Sequence, residues 1–495
     1  MPQDMMKTEM EAETVRRLHE ASLQILEDYG VAFHSEQALD VLARAGARVA
    51  GGRAYLNSDF VMGALANTPK DFTVYARNPR YNMRLNTSEL NFAPDYGCSF
   101  VQDINGVVRA ACYKDYIRFA ALVQSLDVFR VNGGILAQPC DTPPEISAQA
   151  MVYATLKISD KCIFAVKDNA EALEQSFELC EIVFGGKEKF EARPHTVTLI
   201  STLSPLAFDE SSIDCLLLCA RRGQAVVIAP GPMAGATGPV SLAGNIAMAN
   251  AEILAGISLV QTVHPGTPVV YGFAATTSDM ATMRVSIGSP GFTKQAKYGA
   301  RLAKLYGLPC RSGGALTDAG GMSYRAGVES AMGLFEACQE GANFIMHAAG
   351  ILESFAVTSY EKFILDTETI SRMAYYFADL SVDDDALALE AIGEATAGES
   401  FVTLEHTLER CRVDPWTPLV PLRSGTDSLI GLEVANAGNF ATERLREEAA
   451  QKCKKILSSY SKPPIDSETE RALDKHMRRL GLSEELLNKI FEMDM

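Results

Sequence analysis

Basic and aromatic side chains lie within or just after several short apolar runs of this chain. Arg311 and His347 belong to two of these runs, and a guanidinium fork beside an imidazole is suited to binding a carboxylate. Aromatic faces attract quaternary ammonium groups. Four aromatic residues stand in comparable places: Tyr96, Tyr271, Phe273 and Phe355. The residue types therefore indicate a site for a small molecule with a cationic head and a carboxylate.

Each of these residues also has a purely structural interpretation. Tyr271 and Phe273 could fill the interior of a barrel, as large side chains in strands commonly do. Arg311 could form an ion pair with Asp318, and His347 could be a hydrogen-bonded histidine of the core. The residue types alone leave these alternatives open.

Several common catalytic chemistries lack their motifs in this sequence. The 7 histidines form no HxH or HExxH pattern and no cluster with cysteine, which argues against a catalytic zinc. The sequence contains no GxSxG elbow, so it does not indicate a hydrolase of that type. Lys167 ends an apolar run, as a Schiff-base lysine would, but a lysine there is more often solvated or ion-paired. These motifs therefore give no support to a zinc enzyme or a hydrolase triad, and we expect no bound metal.

A loop of small residues, GPMAGATGPVSLAG, covers positions 231–244 directly after the apolar run AVVIAP. Gly231, Gly235 and Gly238 permit close approach of another molecule to its backbone. The helix start near Ser241 would fit an anion, and a tight turn with close helix packing is the alternative interpretation. The loop has neither the GK[ST] ending of a Walker loop nor a GxGxxG pattern.

These residues are spread over a regular alternation of apolar runs and amphipathic stretches. Strands are predicted in ELNFAP, VFRVNGG, KCIFAVK, TVTLIST, AVVIAP, PVVYGF, PCRSGG and ANFIMHA. Helices are predicted over residues 170–183, 211–222, 294–305 and 325–340. Eight such units close a TIM (β/α)₈ barrel, whereas a doubly wound sheet usually has about six strands. In such a barrel the carboxyl ends of the strands would gather the candidate site residues.

The rhythm divides the chain into three predicted domains. Residues 1–86 form an N-terminal helical and extended module, in which a first helix stops at Gly30. Residues 87–380 form the barrel, with a hairpin inserted around the Asn105-Gly106 turn. Residues 381–495 form a helical extension that either caps the barrel or meets a partner.

Composition limits the partners and the compartment. The formal net charge of −17 disfavours nucleic acids and anionic membranes, because binding phosphates needs a basic surface. The 11 cysteines show no framework of short spacings, which suits a reducing cytoplasm. No signal-like start and no apolar run approaching ~18 residues is present, so we expect a soluble cytoplasmic protein. A homo-oligomer is left open.

Four long stretches resemble the trimethylamine methyltransferase (MttB-like) superfamily. The family's signature region is resembled by PMAGATGPVSLAGNIAMANAEILAG of this chain. The family's next strand and loop are resembled by HPGTPVVYGFAATTSDMATM. The early hairpin resembles NFAPDYGCSFVQDINGVVRAA, and the last barrel units resemble the long stretch from SGGALTDAGG to KFILDTE. The resemblance spans about residues 10 to 380.

This resemblance implies a TIM barrel that passes a methyl group from a methylamine to the cobalt of a separate corrinoid protein. Archaeal members carry pyrrolysine, whereas this chain contains only standard residues. We therefore expect a non-pyrrolysine member acting on a quaternary amine, with glycine betaine first and proline betaine, carnitine or choline as alternatives. A non-catalytic betaine-binding barrel is the alternative from another class. The residues 231–238 would then lie where the corrinoid approaches.

Overall fold

The computed structural model describes residues 3–86, 89–395, 400–420, 434–490 and 493. The N-terminal elements are α1 (Gln3–Asp28), β1 (Val31–Phe33), α2 (Glu36–Arg44), β2 (Arg48–Ala50), β3 (Arg53–Tyr55), α3 (Ser58–Asn67), β4 (Phe72–Val74) and β5 (Met83–Leu85). Next come β6 (Asn91–Phe92), β7 (Phe100–Gln102), β8 (Val108–Ala110), α4 (Tyr113–Ser125), β9 (Val131–Gly133), α5 (Ser147–Ile158) and β10 (Cys162–Ala165).

The middle of the chain continues the alternation. It contains α6 (Ala170–Phe184), α7 (Lys187–Glu191), β11 (Thr196–Ser201), β12 (Ala207–Phe208), α8 (Glu210–Arg221), β13 (Ala225–Ala229), β14 (Met233–Ala234) and α9 (Leu242–Val263). It then contains β15 (Val269–Tyr271), β16 (Thr276–Ser278), β17 (Val285–Ser286), α10 (Pro290–Tyr306), β18 (Arg311–Gly313), α11 (Tyr324–Gln339), β19 (Phe344–Met346), β20 (Ile351–Leu352), β21 (Val357–Ser359) and α12 (Tyr360–Phe377). The C-terminal helices are α13 (Asp384–Leu387), α14 (Leu389–Glu394), α15 (Glu405–Arg410), α16 (Val434–Ser458), α17 (Ser467–Leu480) and α18 (Glu484–Lys489).

Eight of these strands form two parallel sheets. One sheet has the order β9, β10, β11, β13, β15, and the other the order β18, β19, β6. Isolated parallel bridges join Phe92 to Phe129 and Tyr271 to Cys310, so each outer strand of one sheet meets the other sheet. The α/β class and all eight predicted strands are confirmed, and the predicted helices lie within the observed ones to a few residues.

The parallel strands are buried on both faces, which explains their continuous apolar runs. Phe164 and Val227 belong to an inner cluster formed between the strands. Ile163 and Ile228, each next to one of them in sequence, belong to the cluster that packs against the helices. Successive strand side chains point to opposite faces, so each run supplies both layers.

One helix is more apolar over its whole length than the unbroken apolar runs of the sequence indicate. Helix α9 is long and apolar enough to cross a membrane by length and composition, although no such stretch was expected. Of its apolar window, 89% is buried inside the protein. Polar residues divide this helix into short apolar runs, so its sequence contains no long unbroken apolar run.

The hairpin predicted around Asn105-Gly106 is confirmed as the antiparallel pair β7 and β8. Asp103 accepts hydrogen bonds from the N–H groups of Asn105 and Val107, and Gly106 has a φ of 81°. Strand β7 also pairs in parallel with β21, which follows β19 and β20. The hairpin is thereby fixed beside the carboxyl end of β19.

Backbone pairing joins the N-terminal segment to the middle of the chain. Strand β1 pairs in parallel with β12, and α1 packs along α9. Arg301 of α10 forms an ion pair with Glu11 of α1 at 2.6 Å. The helix stop at Gly30 is confirmed, since α1 ends two residues earlier and Gly30 has a φ of 64°.

The described C-terminal residues are mainly helical, as expected. The acidic stretch after residue 381 forms two helices separated at Ala388, which has a φ of 53°. Helix α17 packs on α5 and α6, and Asp474 accepts a hydrogen bond of 2.7 Å from Lys157. Part of the predicted extension, including residues 421–433, lies outside the described residues. The three-domain division itself stays a prediction.

Candidate active site

Arg311 begins β18 and points to the inner side of the sheet. It is in register with Phe344 of β19, whose ring contacts the inner residue Phe164. Its Nη1 donates to the carbonyl of Phe273, and its Nη2 donates to Nδ1 of His347, each at 3.0 Å. The side chain is only 5% exposed. Two neighbouring strands therefore hold the guanidinium at their carboxyl ends.

The charge of Arg311 has no carboxylate among its hydrogen-bond partners in the described residues. Asp318 accepts from the Ser286 and Ser354 hydroxyls instead, so the alternative interpretation of Arg311 as its ion-pair partner is wrong. Burial lowers the pKa of Arg311 to about 10, which leaves the guanidinium charged at neutral pH. A buried charge without a counterion is costly. The arrangement is therefore suited to receiving an anion.

His347 is held in a defined orientation and protonation state. Its φ is 54°, and its backbone N–H donates to the carbonyl of Pro94 at 3.0 Å. Burial first, and then the charge of Arg311, hold the pKa of His347 well below its usual range. Because an arginine can only donate, Nδ1 must accept, so the neutral ring carries its proton on Nε2.

Two of the four predicted aromatic side chains lie against this pair. The Phe355 ring meets His347 edge-on with centroids 4.9 Å apart. The Tyr96 ring is perpendicular to the His347 ring, with centroids 6.4 Å apart. It also contacts the Phe164 ring, with centroids 4.9 Å apart. Arg311, His347, Tyr96 and Phe355 thus form one cluster.

The other two aromatic side chains point away from this cluster. The hydroxyl of Tyr271 donates to Asn250 of α9 at 2.9 Å, in the layer between strands and helices. The Phe273 ring packs so closely on Gly299 of α10 that a Cβ there would overlap it. Phe273 contributes its carbonyl oxygen to the cluster, since that oxygen accepts from Arg311.

A buried carboxyl group precedes Tyr96 directly. Asp95 is 1% exposed, and burial raises its pKa well above the usual range. Burial disfavours the charged form of such a carboxyl group. Its position after β6 is visible in the sequence, but its protonation state depends on tertiary burial.

The small-residue loop lies beside the same strand ends. Gly231 is exposed, and a Cβ there would lie 3.7 Å from the carbonyl oxygen of Ala274, next to Phe273. Gly235 has a φ of 93°, and Gly238 approaches Asn245 so closely that a Cβ would overlap its Oδ1. The loop therefore presents backbone and small side chains to solvent, and requires glycine at two positions.

Asn245 fixes the loop, a role that the sequence interpretation missed. Its Nδ2 donates to Gln295 of α10 at 2.8 Å and to the Pro232 carbonyl at 3.2 Å. Strand β14 of the loop also pairs in parallel with β16. An asparagine in an otherwise apolar helix was the available signal, because a buried amide needs partners.

Other candidate chemistries have no support in the cluster. Lys167 donates to the Ser212 hydroxyl at 3.0 Å, at the start of α8. No group of three or more His, Cys, Asp or Glu side chains that could hold a metal ion occurs among the residues the structure describes.

A model of the family described as trimethylamine methyltransferase (MTTB) matches residues 3–481. The chain is 38% identical over 469 residues to a glycine betaine methyltransferase of Desulfitobacterium hafniense, covering 94% of this chain and 96% of the relative. It is 29% identical to a proline betaine:corrinoid methyltransferase of Eubacterium limosum, covering 94% and 96% of the two chains.

The fold also resembles that of a solved structure, the monomethylamine methyltransferase (MtmB) of Methanosarcina barkeri. The TM-score is 0.51 at 10% identity, covering 89% of this chain and 87% of the other. At this identity the likeness concerns the fold alone.

Proposed function

The chain belongs to the trimethylamine methyltransferase family, and from that membership we propose that it transfers a methyl group from glycine betaine to a corrinoid protein. Dimethylglycine would be the other product. The observation that carries this proposal is the buried guanidinium of Arg311, without a carboxylate partner in the described chain, beside the aromatic rings of Tyr96 and Phe355. The relative described as a glycine betaine methyltransferase supports the choice of substrate.

The two ends of glycine betaine match the two halves of the cluster. Its carboxylate would receive hydrogen bonds from Arg311 and from the Nε2–H of His347. Its trimethylammonium head would lie against the faces of Tyr96 and Phe355, which attract such cations. Phe273 would act through the carbonyl that holds Arg311, and Tyr271 would make no contact with the substrate.

The reaction needs positioning more than acid–base catalysis. The electron pair of Co(I) forms the new bond to the methyl carbon, while the pair of the broken C–N bond stays on nitrogen. The leaving group is a neutral amine, so no proton has to be supplied. The chain would hold one methyl group in line with the cobalt in a cavity that excludes water.

We propose further that the eight parallel strands form one closed (β/α)₈ barrel. The two bridges between the sheets, Phe92 to Phe129 and Tyr271 to Cys310, support closure at both junctions. The cluster would then lie at the carboxyl ends of the strands, where sites of such barrels are found. The domains would be residues 1–86, the barrel over 87–380 and a helical extension over 381–495.

The corrinoid would approach over the loop of Gly231, Gly235 and Gly238. The loop is exposed, carries small side chains and lies beside Ala274 at the strand ends. Such a surface lets a large planar ring come close to the substrate methyl. A cytoplasmic location, where a reduced corrinoid protein is available, fits this reaction.

A substrate panel tests the proposal. Glycine betaine, proline betaine, carnitine, choline and trimethylamine are each incubated with the protein and cob(I)alamin, and methylcobalamin is followed by absorbance. Glycine betaine should give the highest kcat/KM, and choline a low one because it has no carboxylate for Arg311. Faster reaction of trimethylamine, or binding of glycine betaine without any methylcobalamin, would refute the assignment.

A further inference from the structure

Phe355 lies on a turn that the backbone does not adopt readily. Glu353, Ser354 and Phe355 have φ values of 49°, 52° and 75°, all in the left-handed region. Residues other than glycine are strained in this region, so such a run persists only when its surroundings hold it. The position of the Phe355 ring therefore depends on contacts that fix this turn.

These contacts come from the loop after β18. The N–H of Glu353 donates to the Ala319 carbonyl at 3.0 Å, and the N–H of Ser354 donates to the Thr317 carbonyl at 3.1 Å. The Ser354 hydroxyl donates to Oδ1 of Asp318 at 2.6 Å. Three consecutive residues of one loop thus hold two residues of the turn.

Asp318 is itself fixed from the other side. Its Oδ2 accepts from the Ser286 hydroxyl at 2.6 Å, and its Oδ1 accepts from the Ile287 N–H at 2.8 Å. Its own N–H donates to Glu329 of α11 at 2.9 Å. Burial acts to raise its pKa, but the hydrogen bonds from Ser286, Ser354 and Ile287 outweigh burial and lower it. An ionised carboxylate is thus the acceptor shared by two loops.

We propose that Asp318 is a positioning residue, which acts through the Ser354 hydroxyl to hold the Phe355 ring against His347 and over the substrate's ammonium group. This inference rests on the proposed function for the substrate, but the placement of the ring does not. Asp318 belongs to the loop after β18, as Arg311 belongs to the strand. One βα unit would therefore set both the carboxylate contact and part of the aromatic enclosure.

A double-mutant cycle tests this role. Ser354→Ala keeps the backbone hydrogen bonds of the turn and removes only the hydroxyl donor, so we expect this variant to fold. Asp318→Ala would remove the acceptor of several hydrogen bonds and could prevent folding. We expect Ser354→Ala to raise KM for glycine betaine about fivefold or more with little change in kcat. In a Phe355→Ala background the same change should alter KM less than about twofold, because the ring it positions is gone. An equal effect in both backgrounds would overturn the proposal.

Ser381→Ala is the matched control. It removes a hydroxyl that donates to a carboxylate, Asp383, at 2.7 Å on the exposed C-terminal segment. We expect KM to stay at the wild-type value. If Ser381→Ala raised KM as much as Ser354→Ala, the loss of any hydroxyl–carboxylate hydrogen bond would raise KM. That result would contradict a specific role for the bond between Ser354 and Asp318.

A second readout does not depend on turnover. With 4-fluorophenylalanine at position 355, the ¹⁹F spectrum should show one sharp resonance, which broadens or splits in Ser354→Ala and in Asp318→Asn. An unchanged spectrum in both variants would overturn the positioning role. If no quaternary amine reacts with the wild type while the ring responds in this way, the proposed function fails and the positioning role stands.

Discussion

At the scale of single residues, the buried charge of Arg311 is the feature with the clearest chemical meaning. Its two contacts, to the Phe273 carbonyl and to His347, orient the guanidinium but do not neutralise it. Removing such a charge relieves a desolvation penalty in the folded state. Residues that lower the stability of the folded protein but are needed for binding are typical of functional sites.

The first prediction concerns this residue. Arg311→Ala should raise KM for glycine betaine about 10- to 100-fold, since hydrogen bonds to charged groups contribute about 1.5 to 3 kcal/mol. Thermal unfolding should show an unchanged or higher Tm, because the unpaired charge is gone. Tyr271→Phe is the control outside the cluster and should keep KM at the wild-type value. An unchanged KM in Arg311→Ala would remove Arg311 from the site.

The second prediction concerns the buried carboxyl group of Asp95. Its folded pKa is raised by burial, so between pH 4 and that pKa the native state holds a proton that the unfolded state has lost. Stability therefore falls as pH rises, by up to about 1.4 kcal/mol per pH unit. Asp95→Asn removes this dependence, so its stability relative to wild type should increase with pH in urea titrations from pH 4 to 7. A difference independent of pH would mean that Asp95 is ionised.

At the scale of elements, β-branched and apolar runs were sufficient to predict the eight strands, and Gly30 marked the end of the first helix. The direction of side chains was not predictable where strands are buried on both faces. Tyr271 therefore looked equivalent to Arg311, although one faces the helices and the other the interior. The left-handed turn at Ser354 and the link to Asp318 depend on tertiary contacts that no local pattern indicates.

The third prediction concerns the loop after β13. Gly231→Leu should leave the Kd for glycine betaine unchanged, because the exposed backbone there does not contact the cluster side chains. It should lower the rate of methyl transfer to the corrinoid about tenfold or more, since a misplaced acceptor loses alignment. Calorimetric binding and single-turnover kinetics separate the two effects.

Gly63→Leu is the control for this prediction. Gly63 lies on α3 and is exposed, and a Cβ added there would meet no atom of the described residues within 4 Å. Its transfer rate should equal that of the wild type. Equal rates in Gly231→Leu and wild type would mean that the corrinoid approaches elsewhere.

At the scale of the whole molecule, the N-terminal segment shares backbone hydrogen bonds with the central part. Strand β1 pairs with β12, and Arg301 of α10 forms an ion pair with Glu11 of α1. We therefore expect residues 1–86, which we propose as a domain from their sequence pattern, to be coupled in stability to the central part. Elements that share one sheet are expected to unfold together.

The fourth prediction follows from this shared sheet. Scanning calorimetry should show a single transition for the N-terminal and central parts, and removal of residues 1–57 should lower the Tm of the remainder by exposing the apolar face of α9. Two well-separated transitions in the intact chain would show that residues 1–86 form an independent domain. Far-UV circular dichroism at the same temperatures checks that secondary structure is lost in the same transition.

A single-turnover reaction tests the proposed activity most directly. Stoichiometric protein, glycine betaine and cob(I)alamin are mixed without oxygen, and both products are quantified. We predict dimethylglycine and methylcobalamin in equal amounts, with loss of the reaction in Arg311→Ala at a glycine betaine concentration below the wild-type KM. Glycine betaine that is bound but unchanged, with no methylcobalamin formed, would contradict the proposed methyl transfer.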